Sequence, residues 1–197
     1  MANEEKDPAS KKPAPARHGI AQGNTLLKNF FIEALKDIYW AERELVNALP
    51  ELQAATTTET LHAAIGEHLT QTKGHVERLE KVFATVSQPP TTKKCFAMEG
   101  LLKEARSIVE ETEAGSMTRD AAIIMAAQKV EHYEITTYGT LVEYAKTLGL
   151  NEAHGLLQAT LDEEKSADQG LTLIAQNGIN WEADIEDVVE ASDLLEK

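Results

Sequence analysis

Residues 120–141 read DAAIIMAAQKVEHYEITTYGTL. Ile124, Ala127, Val130 and Leu141 recur at the spacing of one face of an α-helix, so the segment predicts an amphipathic helix with a buried stripe. Glu131 and Glu134 interrupt that stripe and, at i,i+3, lie on the same side of the helix. A carboxylate facing a core is tolerable only when it is paired or binds a cation.

Three other segments repeat the interruption. Glu42 sits in the Leu35, Ile38, Leu45, Leu49 row, and His68 among Leu61, Ile65, Val76 and Leu79. Glu164 and Asp168 lie among Leu157, Leu161, Leu171 and Ile174. One such residue would be an oddity, whereas four helices carrying one at matching depth point to a metal site inside a bundle.

Turn signals separate these segments. Asn24 and Thr25 suit the start of a helix running from Leu26 to about Ala54, with Pro50 kinking it or opening its last turn. Thr56-Thr57-Thr58 before Glu59 reads as a turn and cap, and Ser87-Gln88-Pro89-Pro90 stops the second helix near Val86. A shorter helix (MEGLLKEARSIVEETEA) lies in the connection, broken at Gly115. The third long helix runs from about Thr118 to Thr147, with Gly149 as its C-terminal cap. Asn151 is read as the cap of the fourth, which ends near Gln176 at Asn177-Gly178.

No alternating Val/Ile/Thr run suggests a strand. The pattern is all-α, two helical hairpins joined by a long crossover that contains a short helix, which is the connectivity of a ferritin-like four-helix bundle. Residues 1–23, rich in Lys, Pro and Ala, read as a disordered tail, 24–178 as the bundle, and 179–197 as an acidic segment able to form a short helix around Trp181, Ile185 and Val188.

The 197-residue chain has a net charge of −14 and 42% hydrophobic residues but only 5% aromatics. The acidity disfavours nucleic acid and anionic membrane surfaces as partners and favours cations. Cys95 is the only cysteine, which excludes an internal disulfide and a thiolate metal cluster. With no apolar run of membrane-spanning length and no secretory signal, a cytoplasmic location is expected.

Counting from the turns gives the depth of each polar position. With the first turn near Thr56, Glu42 lies about 14 residues before it and His68 about 12 after it. With the second near Gly149, Glu134 and Glu164 fall at about 15 and 14 residues. These four form one layer. Asp37, Thr72 or His75, Glu131 and Asp168 form a second, one turn away. Two layers of carboxylates with imidazole suit a dinuclear centre of iron, with manganese as the other choice; the surplus of carboxylates and lack of cysteine ligands disfavour zinc.

Other polar residues have plainer readings. Glu33, Glu44, Glu51, Glu77, Glu80 and Glu163 read as solvated, though Glu44, Glu77 and Glu163 lie close to the layers. His62 and His154 read as surface residues, and His132 as a neighbour of the site or an interface residue. Tyr39, Tyr138, Tyr144 and Trp40 read as packing, and Cys95 as inert. His75 is open between ligand and polar-face residue.

The strings KDIYWAERELVNALP (36–50), HVERLEKVF (75–83), CFAMEGLLKEA (95–105), DAAIIMAAQKVEHYEITTYGTL (120–141) and TLDEEKSAD (160–168) resemble the bacterial YciE/YciF family of ferritin-like proteins associated with stress responses. The resemblance spans about Leu26 to Ala175. It implies a rubrerythrin-like bundle, a homodimer, and a dimetal centre related to ferroxidases. Its motif positions place Asp37 and Glu42 on the first helix, His68 on the second, Glu131 and Glu134 on the third, and Glu164 with Asp168 on the fourth.

The chain departs from the usual Glu-x-x-His pairs of ferritin-like sites. His68 is followed by Gln71 and Thr72, and Glu164 by Ala167 where a His would stand. The expected function is therefore oxidation of iron(II) or reduction of peroxide or dioxygen at a carboxylate/His centre. The alternative is a non-enzymatic stress-protein dimer with a vestigial or stabilising metal site.

Overall fold

The computed structural model describes residues 25–186, and the expectations for the tail 1–23 and for 187–197 lie outside them. Its regular structure is entirely helical, with no strand among the described residues: α1 (Leu26–Ala55), α2 (Glu59–Thr85), α3 (Phe96–Glu111), α4 (Met117–Leu148), α5 (Asn151–Ile174) and α6 (Asn180–Asp184). The four long helices pack α1 against α2 and α4 against α5, with α2 also against α5 and α1 against α4; α3, in the crossover, lies on α1 and α4.

Local chemistry sets the helix ends. Thr25, Thr58 and Ser116 side chains accept from Lys28, Leu61 and Arg119 backbone N–H groups and so start α1, α2 and α4. Cys95 Sγ does the same for α3 through Met98 N–H, so that helix starts at Phe96, two residues before the Met98 start read from the sequence. Gly149 ends α4 with φ +73°, and the Gly149 and Leu150 N–H groups bond the Lys146 and Ala145 carbonyls. Asn151 is not a cap: Leu150 precedes α5 without a side-chain bond, because the α4 cap already turns the chain directly into the next helix. Pro50 is accommodated inside α1, which continues to Ala55. Asn177-Gly178 breaks the fourth helix as expected: α5 ends at Ile174, Gly178 leaves the helical backbone, and the chain kinks there into α6, which packs on α4.

The inward faces carry Phe31, Leu35, Ile38 and Leu45 from α1, Leu61, Ile65, Leu79 and Phe83 from α2, Ile123 and Leu141 from α4, and Leu157 from α5, all essentially inaccessible. Full burial of each such side chain contributes about 1.5–3 kcal/mol. The first hairpin is tied to α4 by Asp120, which is fully buried. Its carboxylate accepts from Thr57 N–H at 2.6 Å, Thr58 N–H at 2.8 Å and Thr58 Oγ1 at 2.7 Å. Glu186 accepts from Met117 and Thr118 N–H at the start of α4.

Candidate metal centre

Six ionisable residues meet between the four long helices. His68, Glu131, Glu134 and Glu164 each offer a ligand atom within 4.8 Å of the others, and so do Glu42, His75 and Glu164. Glu164 is common to both groups. Each of the six is 7% exposed or less.

The polar atoms here are left without partners. Among the described residues, the buried side-chain nitrogen and oxygen atoms with no hydrogen bond are Glu42 Oε2, both His68 nitrogens, His75 Nδ1, Glu131 Oε2, and both oxygens of Glu134 and of Glu164. Every one belongs to the two groups. Leaving a buried polar atom unmade costs about 1–3 kcal/mol, more if charged, so a cluster of orphans needs an occupant to satisfy it. Four carboxylates and two neutral imidazoles match the charge of two divalent cations, and the oxygen-rich donor set suits iron or manganese. The residues fit a metal.

Close contacts organise the set. His68 Nε2 lies 3.3 Å from Glu131 Oε1. His75 Nδ1 lies 2.9 Å from Glu164 Oε1 and 3.6 Å from Glu42 Oε1 and makes a hydrogen bond with neither. Its other nitrogen donates to Glu163 at 2.8 Å. Arg78 grips both Glu163 oxygens at 2.9 Å and reaches Thr160 Oγ1 at 2.7 Å. This chain fixes the His75 ring from behind, as outer partners of metal-binding histidines do. Tyr138 donates to Glu42 Oε1, and Thr72 Oγ1 turns back to the His68 carbonyl.

The electrostatics follow from burial and crowding. Burial, reinforced by the Glu164 and Glu42 carboxylates, pushes Glu131 and Glu134 well above the usual carboxylate range. Burial raises Glu42 against the opposing pull of His75. For Glu164 burial also raises, but His75 and His68 outweigh it and the net shift is downward. Burial lowers His68. It lowers His75 too, yet the flanking Glu164 and Glu42 carboxylates overcome it and push that imidazole up to about 10. Without a cation the centre thus holds protons, which a metal must displace.

Of the residues expected from the sequence, Glu42, His68, Glu131, Glu134 and Glu164 come together. Asp37 does not join them. Five residues from Glu42, it is rotated about 140° off that face, and it accepts instead from Tyr133 Oη at 3.3 Å, whose hydroxyl also contacts Cys95 Sγ at 3.1 Å. Asp168 is also outside both groups. It shares the Glu164 face but lies a turn along, where Gln128 Nε2 donates to it at 3.0 Å and His132 approaches to 3.4 Å.

The layers differ from the count as well. Tyr39 reaches Glu80 across the first hairpin, which sets Glu42 level with the neighbourhood of His75. His68, two turns nearer the hairpin, joins the α4 carboxylates. In the second hairpin Glu131 and Glu134 both meet Glu164, while Asp168 stands beside Gln128, a turn beyond the Glu131 level that the count gives it.

His75 is the ligand candidate that sequence reasoning left undecided, and Glu163 its unrecognised support. The signal was present: Thr72-x-x-His75 has the spacing of Glu-x-x-His, with Thr in place of Glu.

Two openings reach the same edge. A cavity of about 100 Å³ between α1, α2, α3 and α4 ends on His68 and Glu131. A groove of about 330 Å³ between α2 and α5, with Glu67, Gln71 and Ser166 on its walls, ends on the same two residues. No helix among the described residues is long and apolar enough to cross a membrane.

Comparison with known proteins agrees with the helical fold. The chain is 46% identical to protein YciF of Escherichia coli K12 over 159 residues, covering 80% of this chain and 95% of that one. The crystal structure of that E. coli stress protein superposes with a TM-score of 0.76, covering 80% of this chain and 99% of the other. YcfI of Rhodopseudomonas palustris, 37% identical, gives 0.73 over 75% and 94% of the two chains. Residues 26–184 match the family model described as Domain of unknown function (DUF892). The chain therefore belongs to the DUF892 family, to which its likeness to YciF had pointed.

Proposed function

We propose that this protein is a ferritin-like bundle holding a dinuclear iron or manganese centre, and that it oxidises iron(II) in a ferroxidase-type reaction. The observation that carries this reading is the shared carboxylate. Glu164 belongs to both ligand groups, and every unpartnered buried polar side-chain atom among the described residues lies in them. Glu164 would bridge two ions, with Glu42 and His75 on one side and His68, Glu131 and Glu134 on the other.

A bound pair of redox-active ions supplies one-electron chemistry at each position. The protein supplies the rest. Carboxylates favour the higher charge of the oxidised ions, His75 is aimed by Glu163 and Arg78, and the apolar walls keep bulk water out. The homodimer and the role in stress that the family resemblance implies are part of the proposal; sedimentation at micromolar concentration tests the former.

Stopped-flow oxidation of added iron(II) tests the activity. Wild-type protein is expected to accelerate it over buffer, and Glu164→Gln to abolish the acceleration while the circular-dichroism spectrum stays helical. No acceleration by metal-loaded wild type removes the reading.

A second reading is favoured by the position of the centre between all four long helices. There a cation would cement the fold without turnover. It predicts a large thermal shift on adding manganese and no iron oxidation.

A further inference from the structure

The cavity that ends on His68 and Glu131 has an unusual lining for an entrance to a metal site. Its walls are Leu45, Ala48, Leu49, Leu52 and Ile65 on one side, and Leu102, Ala105, Val109, Ala126, Ala127 and Val130 on the other. The exposed Glu51, Arg106 and Glu110 stand at one end and the buried His68 and Glu131 at the other. Arg106 Nε approaches Glu51 Oε2 at 3.4 Å, joining α3 to α1 over the mouth. Small side chains make the space: Ala48, Ala105, Ala126 and Ala127 leave about 100 Å³ where larger residues would have closed the core.

We propose that this cavity is the binding site of dioxygen and its entry path to the centre. This rests on the ferroxidase reading above. Three observations choose the occupant. The volume admits a molecule of only a few heavy atoms. The walls between rim and floor offer no hydrogen-bond partner, so water or hydrogen peroxide would lose its bonds on entering, whereas an apolar diatomic loses none. The floor is the only ionisable part of the inner cavity, and it is the edge of the His68, Glu131, Glu134 and Glu164 group. The separate α2/α5 groove carries Glu67, Gln71 and Ser166 among apolar walls and so, unlike the cavity, offers hydrogen-bonding partners on the way to that same edge. In the reaction, two iron(II) become two iron(III). The two electrons, with two protons from water, convert one dioxygen to hydrogen peroxide, which leaves.

The test uses xenon as an apolar probe, and two cavity-filling variants that touch no proposed ligand, Ala105→Leu and Ala48→Leu. Crystals of wild-type protein under xenon pressure are expected to hold xenon between Leu45, Leu102, Ala127 and Val130, and the folded variants to hold none. Iron(II) oxidation driven by dioxygen is expected to fall at least tenfold in the variants. Oxidation driven by added hydrogen peroxide and the affinity for manganese are expected to be unchanged.

A wild-type cavity without xenon, or variants that use dioxygen at the wild-type rate, would overturn the proposal while leaving the ferroxidase reading intact. An equal loss with both oxidants would also overturn it, because a distorted centre would then explain the effect. Xenon binding in a protein that oxidises no iron with either oxidant would sink the ferroxidase reading and dioxygen as the occupant together.

Discussion

His75 Nδ1 stands 2.9 Å from Glu164 Oε1, while Nε2 of the same ring donates to Glu163 at 2.8 Å. Adjacent carboxylates on one helix therefore take opposite edges of one imidazole. Glu163, held on both oxygens by Arg78, is kept ionised: burial pushes it up, but Arg78 and His75 outweigh that and bring it below the usual carboxylate range. Glu164, unbonded on both oxygens, is the one left free for a cation.

Removing the grip of Arg78 should loosen only one of the two metal positions. Arg78→Lys keeps the charge but loses the two-pronged contact with Glu163. Manganese affinity at the Glu42–His75 position is expected to weaken by about 10–100-fold, as for other outer partners of metal-binding histidines. The His68 position should be unchanged. Electron paramagnetic resonance of manganese titrated into the variant would separate the two, and equal weakening at both would count against this assignment.

Stoichiometry should distinguish the shared carboxylate from a terminal one. Wild type is expected to hold about two equivalents of manganese, Glu42→Gln about one, and Glu164→Gln to lose affinity at both positions, since it would serve both. Metal analysis after dialysis reads this directly. One equivalent retained by Glu164→Gln would assign it to a single ion.

The metal-free protein should become less stable as pH rises above neutrality. Glu42, Glu131, Glu134 and His75 all have folded-state values raised above the unfolded ones. The folded state then binds more protons, and stability falls with pH by about 1.4 kcal/mol per unit for each excess proton. Their contribution is complete below the unfolded values. For His75 it is lost between about 6.5 and about 10. His68 and Glu164 shift the other way, and their losses fall below pH 6.5 and 4.5, outside this window. Thermal melts between pH 6.5 and 9 in chelator should show a falling Tm, and saturating manganese should flatten the slope. A Tm that rises with pH in chelator would contradict the raised values.

Asp120 should matter for stability and not for metal. Asp120→Ala leaves two part-buried N–H groups of the Thr57–Thr58 turn without their carboxylate, a loss of about 3 kcal/mol and roughly 6–12 °C in Tm. Manganese stoichiometry should stay at two. Melting and metal analysis on one sample check both statements.

Much of the molecule was legible in the chain. The helical stripes, the Gly149 cap and the Thr56–Thr58 turn located the four long helices to within a residue or two, because their signals are local. Five of the clustered residues were legible for the same reason: each breaks an apolar row on its own helix. Asp37 has the height of the second counted layer, but helical rotation turns it away from Glu42. Asp168 lay on the right face but at the wrong height. The role of His75 is not legible in the sequence, because a histidine on a helix announces neither its burial nor the Arg78–Glu163 pair behind it, 85 residues apart in sequence.

The sequence by itself determined which face of each helix is buried and which ionisable groups break it, since 3.6 residues per turn converts spacing into direction. Only the tertiary structure decided which of those groups meet. Height across a hairpin depends on how many residues the turn consumes and how the helices tilt, and neither is written in a periodicity. The register between α1 and α2 sets Glu42 beside His75, two turns along α2 from His68, with Glu164 common to both groups and the apolar cavity reaching the edge that His68 shares with Glu131.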